Sequence, residues 1–330
     1  MVGLEESGGS SSAHVIILGR GASQTMGDIK LYAIAGKKVH ELAGQSLAVE
    51  KSLQTMIERN LLAVLGVHFL ASEYSTGRKH GGRIDTLGLD ENSSPVIIEY
   101  KRSLAENIIN QGLYYLDWLL DHKAEFALLV RDQLDKQTAD SVEWPEARLI
   151  CIAGEFSKYD QHAVEQINRN VSLIRYRKYE DGLLLLELVN AVEGPQHEKE
   201  AAGAKKHKKR RSDSTIEERL AKANSDLHDV WDALRSTLLE LGDDVQLKTL
   251  KNYFGFQRLR NFACVEIHPQ ANKIAATLNV DPAKLSLEDG FSRDVTNVGH
   301  WGTGDLELTL RTMEDLQRAM PLFLKAYERS

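Results

Sequence analysis

The most constraining feature of the chain is the stretch of residues 81–102, which reads GGRIDTLGLDENSSPVIIEYKR. An apolar run from Ile84 is followed by a turn rich in Asp, Asn, Ser and Pro, and then by the β-branched run 96–98. Two such runs separated by turn residues predict strands that fold into an antiparallel pair. In that pairing, Asp85 of the first strand lies beside Glu99 of the second.

The charged residues of this pair indicate metal-dependent chemistry. Side chains two positions apart on a strand point to the same face, so Glu99 and Lys101 share one face. Two neighbouring carboxylates repel each other unless a cation lies between them, and Mg²⁺ prefers carboxylate oxygens together with water. A lysine beside that cation can orient water or bind a phosphate. Asp85, Glu99 and Lys101 therefore predict metal-assisted hydrolysis of a phosphodiester, with Mg²⁺ or Mn²⁺ as the cofactor.

A further acid is expected from the preceding helix. Apolar residues recur at three- and four-residue steps over residues 47–65, which predicts an amphipathic helix that ends at Gly66. Glu50 shares the apolar face of this helix, whereas Glu58 is rotated by roughly 80° toward the solvent side. An acid on an apolar face is costly unless it has a partner. Glu50 is therefore favoured over Glu58 as the third acid of the site and as a metal ligand.

The helix predicted over residues 104–122 contributes two more candidates. Gln111 and Tyr115 are four residues apart and share one helical face, from which both can reach the same pocket. An ordinary contact between helix and sheet explains this pair equally well. Arg102 follows the lysine and adds positive charge for a phosphate.

Charge and composition limit the classes of function. The formal net charge of −7 argues against a surface that is basic throughout, although a nuclease needs only a local positive track. The chain has no run of 18 apolar residues and does not start like a secretory signal, so no membrane partner and a cytoplasmic location are expected. Cys151 and Cys264 have no metal-binding spacing, and both are expected to be buried.

The order of elements predicts an α/β fold. A weak alternation over residues 28–41 predicts an edge strand or a hairpin. Strands are predicted at 69–74, 83–87, 96–100, 126–130, 148–152, 173–176 and 183–189, and a further helix at 161–168. This pattern predicts a mixed sheet flanked by helices. The α/β domain is placed at residues 26–193, after a flexible N-terminus at 1–25.

A second domain is expected after a basic linker. Residues 194–214 contain a cluster of lysines and arginines, which forms either a solvated tether or a contact to DNA phosphates. Residues 215–330 predict a small α+β domain. Its first helix carries a near-heptad apolar stripe over 216–241, which is either a dimer seam or part of the domain's own core. The predicted contacts to nucleic acid are Arg83, Arg102, Lys208, Lys209, Arg210 and Arg211.

Residues of the first domain resemble the PD-(D/E)xK nuclease superfamily. The resemblance covers about residues 47–189, is closest to the catalytic domain of NucS-type mismatch endonucleases, and rests on the segments 50–54 (EKSLQ), 82–85 (GRID), 98–101 (IEYK) and 111–116 (QGLYYL). It implies a restriction-endonuclease-like fold in which Asp85 and Glu99 bind the metal and Lys101 orients the attacking water. It further implies that Glu50 is a nearby acid, and that the scissile phosphate is assisted by Gln111 and Tyr115.

The second domain resembles a small domain of unknown function that often follows such nuclease domains. The segments that carry this resemblance are 262–267 (FACVEI), 299–305 (GHWGTGD) and 326–328 (AYE). Relatives are often labelled a predicted transport protein, but a transport role is not expected for a chain without membrane-spanning segments. Aromatics and arginines alternate over 253–260, which indicates either a base-stacking surface or core aromatics beside surface arginines. His300 and Trp301 form either a recognition pocket or an ordinary glycine-rich turn.

The sequence thus predicts a Mg²⁺-dependent DNA endonuclease whose second domain selects the substrate or a partner. A cut through both strands would favour a homodimer. The alternative is a catalytically silent module of nuclease fold that binds nucleic acid or protein, for example in phage defence. The set of two acids and a lysine favours the enzyme, because a scaffold does not need three charges placed so awkwardly together.

Overall fold

The structure is a computed structural model, and it describes residues 29–35, 37–45, 50–104, 107–192, 214–299 and 302–330. The predicted flexible N-terminus at 1–25 and residues 194–213 of the predicted linker lie outside the described residues.

The first domain consists of nine strands and seven α-helices within the described residues. In chain order they are β1 (Leu31–Ala35), β2 (Lys38–Leu42), β3 (Gly44–Gln45), α1 (Glu50–Arg59), α2 (Leu61–Leu65), β4 (Val67–Ser75), α3 (Gly77–His80), β5 (Arg83–Asp90), β6 (Pro95–Leu104), α4 (Ile108–Asp121), α5 (Lys123–Gln133), α6 (Lys136–Asp140), β7 (Arg148–Glu155), α7 (Lys158–Glu165), β8 (Asn170–Tyr179) and β9 (Leu184–Val192).

A seven-stranded mixed sheet forms the centre of the first domain. Strands β6, β7 and β8 run parallel, whereas β4 and β5 on one side and β9 on the other are antiparallel to their neighbours. Strand β3 pairs with the last residues of β8. Strands β1 and β2 form a separate hairpin, as the alternation over 28–41 predicts. Helices flank the mixed sheet, which confirms the predicted α/β fold class.

The central strands are buried on both faces, and this fixes where their polar residues point. On one face, Ile98 of β6 belongs to the same apolar cluster as Leu53 of α1. On the other face, Ile97 belongs to a cluster with Leu116 of α4. Because successive strand residues alternate, Glu99 points to the α4 side of the sheet.

Two predicted elements differ from the structure. Residues 126–130, predicted as a buried strand, lie in helix α5, which buries Phe126 and Val130 at the four-residue spacing of a helix. A short apolar run does not distinguish a buried strand from a buried helical turn, which is why the prediction was wrong. The helix predicted over 47–65 is divided at Asn60 into α1 and α2.

The second domain is an antiparallel sheet covered by helices. Its elements are α8 (Ile216–Leu220), α9 (Ser225–Leu239), β10 (Gln246–Thr249), β11 (Phe254–Gln257), β12 (Asn261–His268), β13 (Lys273–Leu278), β14 (Ser292–Asp294), β15 (Leu306–Leu310) and α10 (Met313–Tyr327). The sheet order is β10-β11-β12-β13-β15-β14. The apolar sides of α8, α9 and α10 pack on this sheet. The stripe over 216–241 therefore belongs to the core of its own domain and not to a dimer seam.

Several smaller expectations are settled by burial. Tyr253, Phe254 and Phe256 are buried, so the aromatics of the 253–260 stretch are core residues. Both cysteines are buried and unbonded. His300 and Trp301 lie outside the described residues. Among the helices that the structure describes, none is long and apolar enough to cross a bilayer.

The turn between β5 and β6 joins the two domains. Tyr253 Oη donates a hydrogen bond of 2.8 Å to Asn92 Oδ1, and Asn261 Nδ2 donates one of 2.7 Å to the same oxygen. The backbone N–H of Asn261 donates to the Glu91 carboxylate at 2.9 Å. The β5–β6 hairpin is thus held at its turn by the second domain.

Candidate active site

The two acids predicted to bind metal lie side by side where the β5–β6 ladder ends. Backbone pairing of the two strands reaches Thr86 and Ile98. Beyond that pair, side chains replace the backbone acceptors. The Asp85 N–H donates to Glu99 Oε1 at 3.2 Å, and the Tyr100 N–H donates to Asp85 Oδ2 at 3.1 Å. Each carboxyl group is thereby fixed by the backbone of the opposite strand.

Burial gives this pair of acids shifted pKa values. Glu99 is 1% exposed, and burial, reinforced by the neighbouring Asp85 carboxyl, raises the pKa of Glu99 to about 9. Burial also raises the pKa of Asp85, and the carboxylates of Glu73 and Glu50 raise it further. At neutral pH the pair therefore retains a proton, and a bound cation would displace it.

Helix α4 brings one of its two predicted residues to the acids. Gln111 Nε2 donates a hydrogen bond of 2.7 Å to Glu99 Oε2, so both oxygens of that carboxyl group are held. Tyr115 lies one turn further along α4, about 6 Å at 1.5 Å per residue. Its hydroxyl oxygen accepts a hydrogen bond of 3.1 Å from the Arg83 N–H. Gln111 thus contacts the acids, whereas Tyr115 supports the backbone that leads to Asp85.

Lys101 follows Glu99 by two residues on β6, and Glu50 contacts this part of the strand. The positive charge of Lys101 opposes the burial that raises the pKa of Asp85 and of Glu99. Glu50 Oε1 lies 3.8 Å from Lys101 Nζ, and Glu50 Oε2 accepts a hydrogen bond of 3.1 Å from the Arg102 N–H. Both predicted residues therefore lie near the acids, but the Glu50 side chain is 42% exposed and not buried with the apolar face of α1 as predicted. Its role as a metal ligand stays a prediction.

Glu58 is half-buried and is not turned to solvent with Arg59 as predicted. Its carboxylate accepts hydrogen bonds from Thr86 Oγ1 at 2.6 Å and from Gln54 Nε2 at 3.0 Å, within the interface between α1 and the sheet. Gln54 Nε2 also donates to the Asp85 carbonyl at 2.7 Å. Gln54 therefore positions the backbone of Asp85, a role that helical spacing alone did not indicate.

Glu73 is a further acid at the site that sequence reasoning missed. The β4–β5 register places it opposite Asp85. Its φ of 54° is uncommon for a residue other than glycine, and such backbone is concentrated at functional sites. The Glu73 carboxylate lies 2.7 Å from Lys51 Nζ and 2.7 Å from Arg83 Nε, and the hydrogen bond from Lys51 lowers its pKa. The strand register was the signal that could have found it.

The predicted contacts to nucleic acid fall into two groups. Arg83 and Arg102 are exposed and lie next to the acids on β5 and β6. The residues of the basic linker lie outside the described residues, so their contact with nucleic acid stays a prediction; they are Lys208, Lys209, Arg210 and Arg211.

The donor set fits a hard divalent cation with few protein ligands. Within the ranges that the structure describes, no three or more His, Cys, Asp or Glu side chains are arranged to hold a metal ion. Mg²⁺ keeps several waters and is held by one or two carboxylates plus substrate phosphates. Asp85 and Glu99 supply two adjacent carboxyl groups, and burial raises the pKa of both, so the pair lacks a compensating positive charge. The residues present therefore suit Mg²⁺ or Mn²⁺ bound together with a phosphate.

Comparison with known proteins gives one match to a family model and one curated relative. Residues 216–330 match the model of a domain of unknown function, DUF5655. An uncharacterized protein of Haemophilus influenzae is 27% identical over 308 residues, which cover 90% of this chain and 99% of that protein. The similarity to that relative thus extends across both domains.

One solved structure is also similar. A chain in the structure of an EndoMS–dsDNA2 complex is 20% identical, with a TM-score of 0.22. The match covers 47% of this chain and 61% of that chain. A score this low shows neither a shared fold over the whole chain nor a shared activity.

Proposed function

We propose that the chain is a metal-dependent endonuclease that hydrolyses phosphodiester bonds of DNA. The observation that carries this proposal is the arrangement of Asp85 and Glu99, which lie side by side where the β5–β6 ladder ends, with Lys101 two residues after Glu99 on the same strand. The preference for DNA rests on the resemblance of the segments around these residues to nucleases of the PD-(D/E)xK type. The second domain is proposed to select the DNA structure or a partner.

Each side chain has a distinct part in the proposed reaction. Asp85 and Glu99 would hold the cation, which would place positive charge against the phosphate oxygens and acidify a nearby water. Lys101 would orient that water for in-line attack. Glu50 restrains the lysine at 3.8 Å, and Gln111 keeps the Glu99 carboxyl facing Asp85.

The electrostatics support this assignment over a structural role. A pKa of about 9 means that Glu99 is uncharged at neutral pH unless a cation is present. Keeping such an acid at a buried position destabilises the fold, and a neutral side chain of the same size would avoid that cost. The arrangement becomes favourable when a divalent cation compensates both carboxylates.

The proposal is tested by cleavage assays on the full chain. Supercoiled plasmid, linear duplex, single-stranded DNA and RNA are each incubated with Mn²⁺, with Mg²⁺ and with chelator. We expect metal-dependent cutting of DNA by the unaltered protein, and a loss of at least about 10³-fold in Asp85→Asn and Lys101→Met. Asp117→Asn, an exposed acid on α4, is the matched control and should cut normally.

Two outcomes would contradict the proposal. Cutting that persists at an unchanged rate in both Asp85→Asn and Lys101→Met would show that a contaminant or another site is responsible. An absence of cutting on every substrate, together with no effect of Mg²⁺ or Mn²⁺ on thermal unfolding, would favour the catalytically silent binding module.

A further inference from the structure

A basic loop projects beside the acids and is not used in the proposed chemistry. This loop, residues 76–82, connects β4 to β5 and contains the short helix α3. Arg78 and Lys79 are exposed on it. Within the residues that the structure describes, neither has a carboxylate within 4.0 Å, whereas Arg83, just after the loop, is paired with Glu73. The loop thus presents two cations without a protein partner.

Hydrogen bonds fix the base of the basic loop. The N–H of Thr76 donates to the Gly82 carbonyl at 3.0 Å, and the N–H of Gly82 donates to Thr76 Oγ1 at 2.9 Å. Gly77 and Gly81 both have positive φ, at 79° and 63°, and a Cβ at either would meet no atom within 4 Å. The backbone is therefore closed into a defined shape while its outer side remains open to a ligand.

Helix α4 supports the basic loop as well as the acids. Tyr114 Oη donates to the His80 carbonyl at 3.2 Å, and the two rings lie 5.8 Å apart. A Cβ on Gly82 would lie 2.5 Å from the Tyr115 ring, so the loop backbone rests directly on that side chain. Gln111, which holds the Glu99 carboxyl group, lies one turn earlier on the same helix. One rigid element therefore sets the position of the loop relative to the acids.

The distance from loop to acids matches a few nucleotides. Gly82, the last residue of the loop, is three residues before Asp85 of β5, which corresponds to about 10 Å at roughly 3.3 Å per residue of extended chain. Phosphates along one strand of duplex DNA recur about every 3.4 Å of helix axis. A DNA strand with one phosphate at the acids, and with its helix axis along β5, would therefore place another phosphate, roughly three nucleotides away, against the loop.

We propose that the basic loop is a DNA-backbone clamp in which Arg78 and Lys79 bind phosphates flanking the scissile one. This inference rests on the proposed function, because it takes the acids as the point of cleavage. Contacts to phosphates carry no base information, so the clamp fixes the position of the strand and leaves sequence selection to other residues. Tyr114, 48% exposed next to the loop, borders the path of that strand.

The test measures how DNA binding by the full chain depends on salt. Binding of a fluorescent duplex is titrated in chelator at 50 to 200 mM salt, for the unaltered protein and for Arg78→Gln/Lys79→Gln. Loss of two phosphate contacts should reduce the slope of log K against log salt by about 1.8 and weaken binding about tenfold at the lowest salt. The loss should be equal for duplexes of different sequence.

The matched control removes two cations from helices α5 and α6, outside the loop. Arg131 and Lys136 are exposed and belong to surface ion pairs with Asp132 and Asp140. Arg131→Gln/Lys136→Gln changes the net charge equally and should leave the slope unaltered. Equal thermal unfolding of both variants and the unaltered protein checks that the fold is intact.

Failure of this inference can be separated from failure of the proposed function. An unchanged salt slope in Arg78→Gln/Lys79→Gln, or an equal change in the control, overturns the clamp even if the protein cuts DNA. Loop-dependent binding of RNA without binding of DNA also overturns it. A loop-dependent slope in a protein that neither cuts DNA nor responds to Mg²⁺ or Mn²⁺ would support phosphate binding by the loop and contradict the nuclease, and with it the part of the clamp that refers to a scissile phosphate.

Discussion

The β5–β6 hairpin has two ends, and both bury acidic side chains in opposite electrostatic settings. At the turn end, Asp90 Oδ1 accepts the N–H groups of Asn92 at 2.9 Å and Ser94 at 2.8 Å, and its Oδ2 lies 3.2 Å from Arg148 Nε. That carboxylate is compensated entirely by protein groups. It closes the turn and does not depend on a ligand.

At the other end of the same strands, Asp85 has another acid as its neighbour. Lys101 is near but is shared with Glu50, and the pKa of Glu99 rises to about 9 mainly through burial. Asp90 at the turn is satisfied by protein groups on folding, whereas the paired acids at the open end lack a compensating positive charge. We therefore expect the turn end to stabilise the fold and the open end to bind a ligand.

The largest expected effect is on the rate of DNA cutting, when a glutamate at each end of the hairpin is replaced by glutamine. Glu99→Gln removes a carboxylate from the cation site, so DNA cutting should fall by at least about 10³-fold, while thermal stability is kept or rises. Glu91→Gln at the turn should leave cutting within about twofold. Rates on a plasmid with Mn²⁺ compare the two directly. Similar losses in both variants would remove the distinction between the ends.

The turn end should dominate stability. Asn92→Ala leaves Tyr253 Oη and Asn261 Nδ2 without their buried acceptor, which should lower the free energy of unfolding by about 2–4 kcal/mol. The measurement is urea unfolding, with Asn168→Ala, an exposed site, as the control. A loss below about 0.5 kcal/mol would mean that the second domain does not hold the turn.

The sequence predicts the open end of the hairpin well and the turn end poorly. Strand alternation and a turn rich in Asp, Asn and Ser are local signals, and they place Asp85 beside Glu99. Asn92 reads only as a turn residue, because its partners Tyr253 and Asn261 lie more than 160 positions away along the chain. No local pattern encodes such a contact.

Two other acids, Glu73 and Glu58, were missed or misplaced by sequence reasoning for local reasons. A register shift between Phe69 and Ala71 in β4 changes the face of the sheet to which the following side chains point, so alternation counted from the strand start does not locate Glu73. Glu58 is displaced from the solvent side because Thr86 and Gln54 offer hydrogen bonds inside the interface. Helical spacing gives the direction of a side chain but not the polar partners that it meets.

Metal binding offers a test of the open end alone. Mg²⁺ bound to the folded chain should raise its stability by about 2.7 kcal/mol at 100 times the dissociation constant. Because the cation displaces the proton of Glu99, whose pKa is about 9, this stabilisation should be greater at pH 9 than at pH 6. Thermal unfolding with Mg²⁺ and with chelator measures it.

Glutamine variants at the two ends of the hairpin provide the control for the Mg²⁺ effect on stability. Glu99→Gln should lose both the Mg²⁺ effect and its dependence on pH, whereas Glu91→Gln should keep them. A pH-independent effect of Mg²⁺, or one that survives in Glu99→Gln, would place the cation elsewhere on the chain.

The smallest expected effect is the pH dependence contributed by Glu91 at the turn. Burial, with a contribution from the nearby Asp90 carboxylate, raises the pKa of Glu91 from 4.5 to about 7. The folded chain therefore keeps a proton that the unfolded chain has lost, and stability is fully present below pH 4.5 and declines as pH rises to about 7. For one proton the decline is at most about 1.4 kcal/mol per pH unit.

Glu91→Gln should flatten this part of the pH profile, because a glutamine oxygen still accepts the Asn261 N–H while its side chain does not titrate. The control is Glu217→Gln, which changes an exposed carboxylate and should leave the profile unaltered. Urea midpoints between pH 5 and pH 8 in the absence of metal measure the difference. An unchanged slope in Glu91→Gln would mean that the turn carboxyl is ionised throughout, and the two ends would then differ more in the charge state of their acids than the raised pKa of Glu91 indicates.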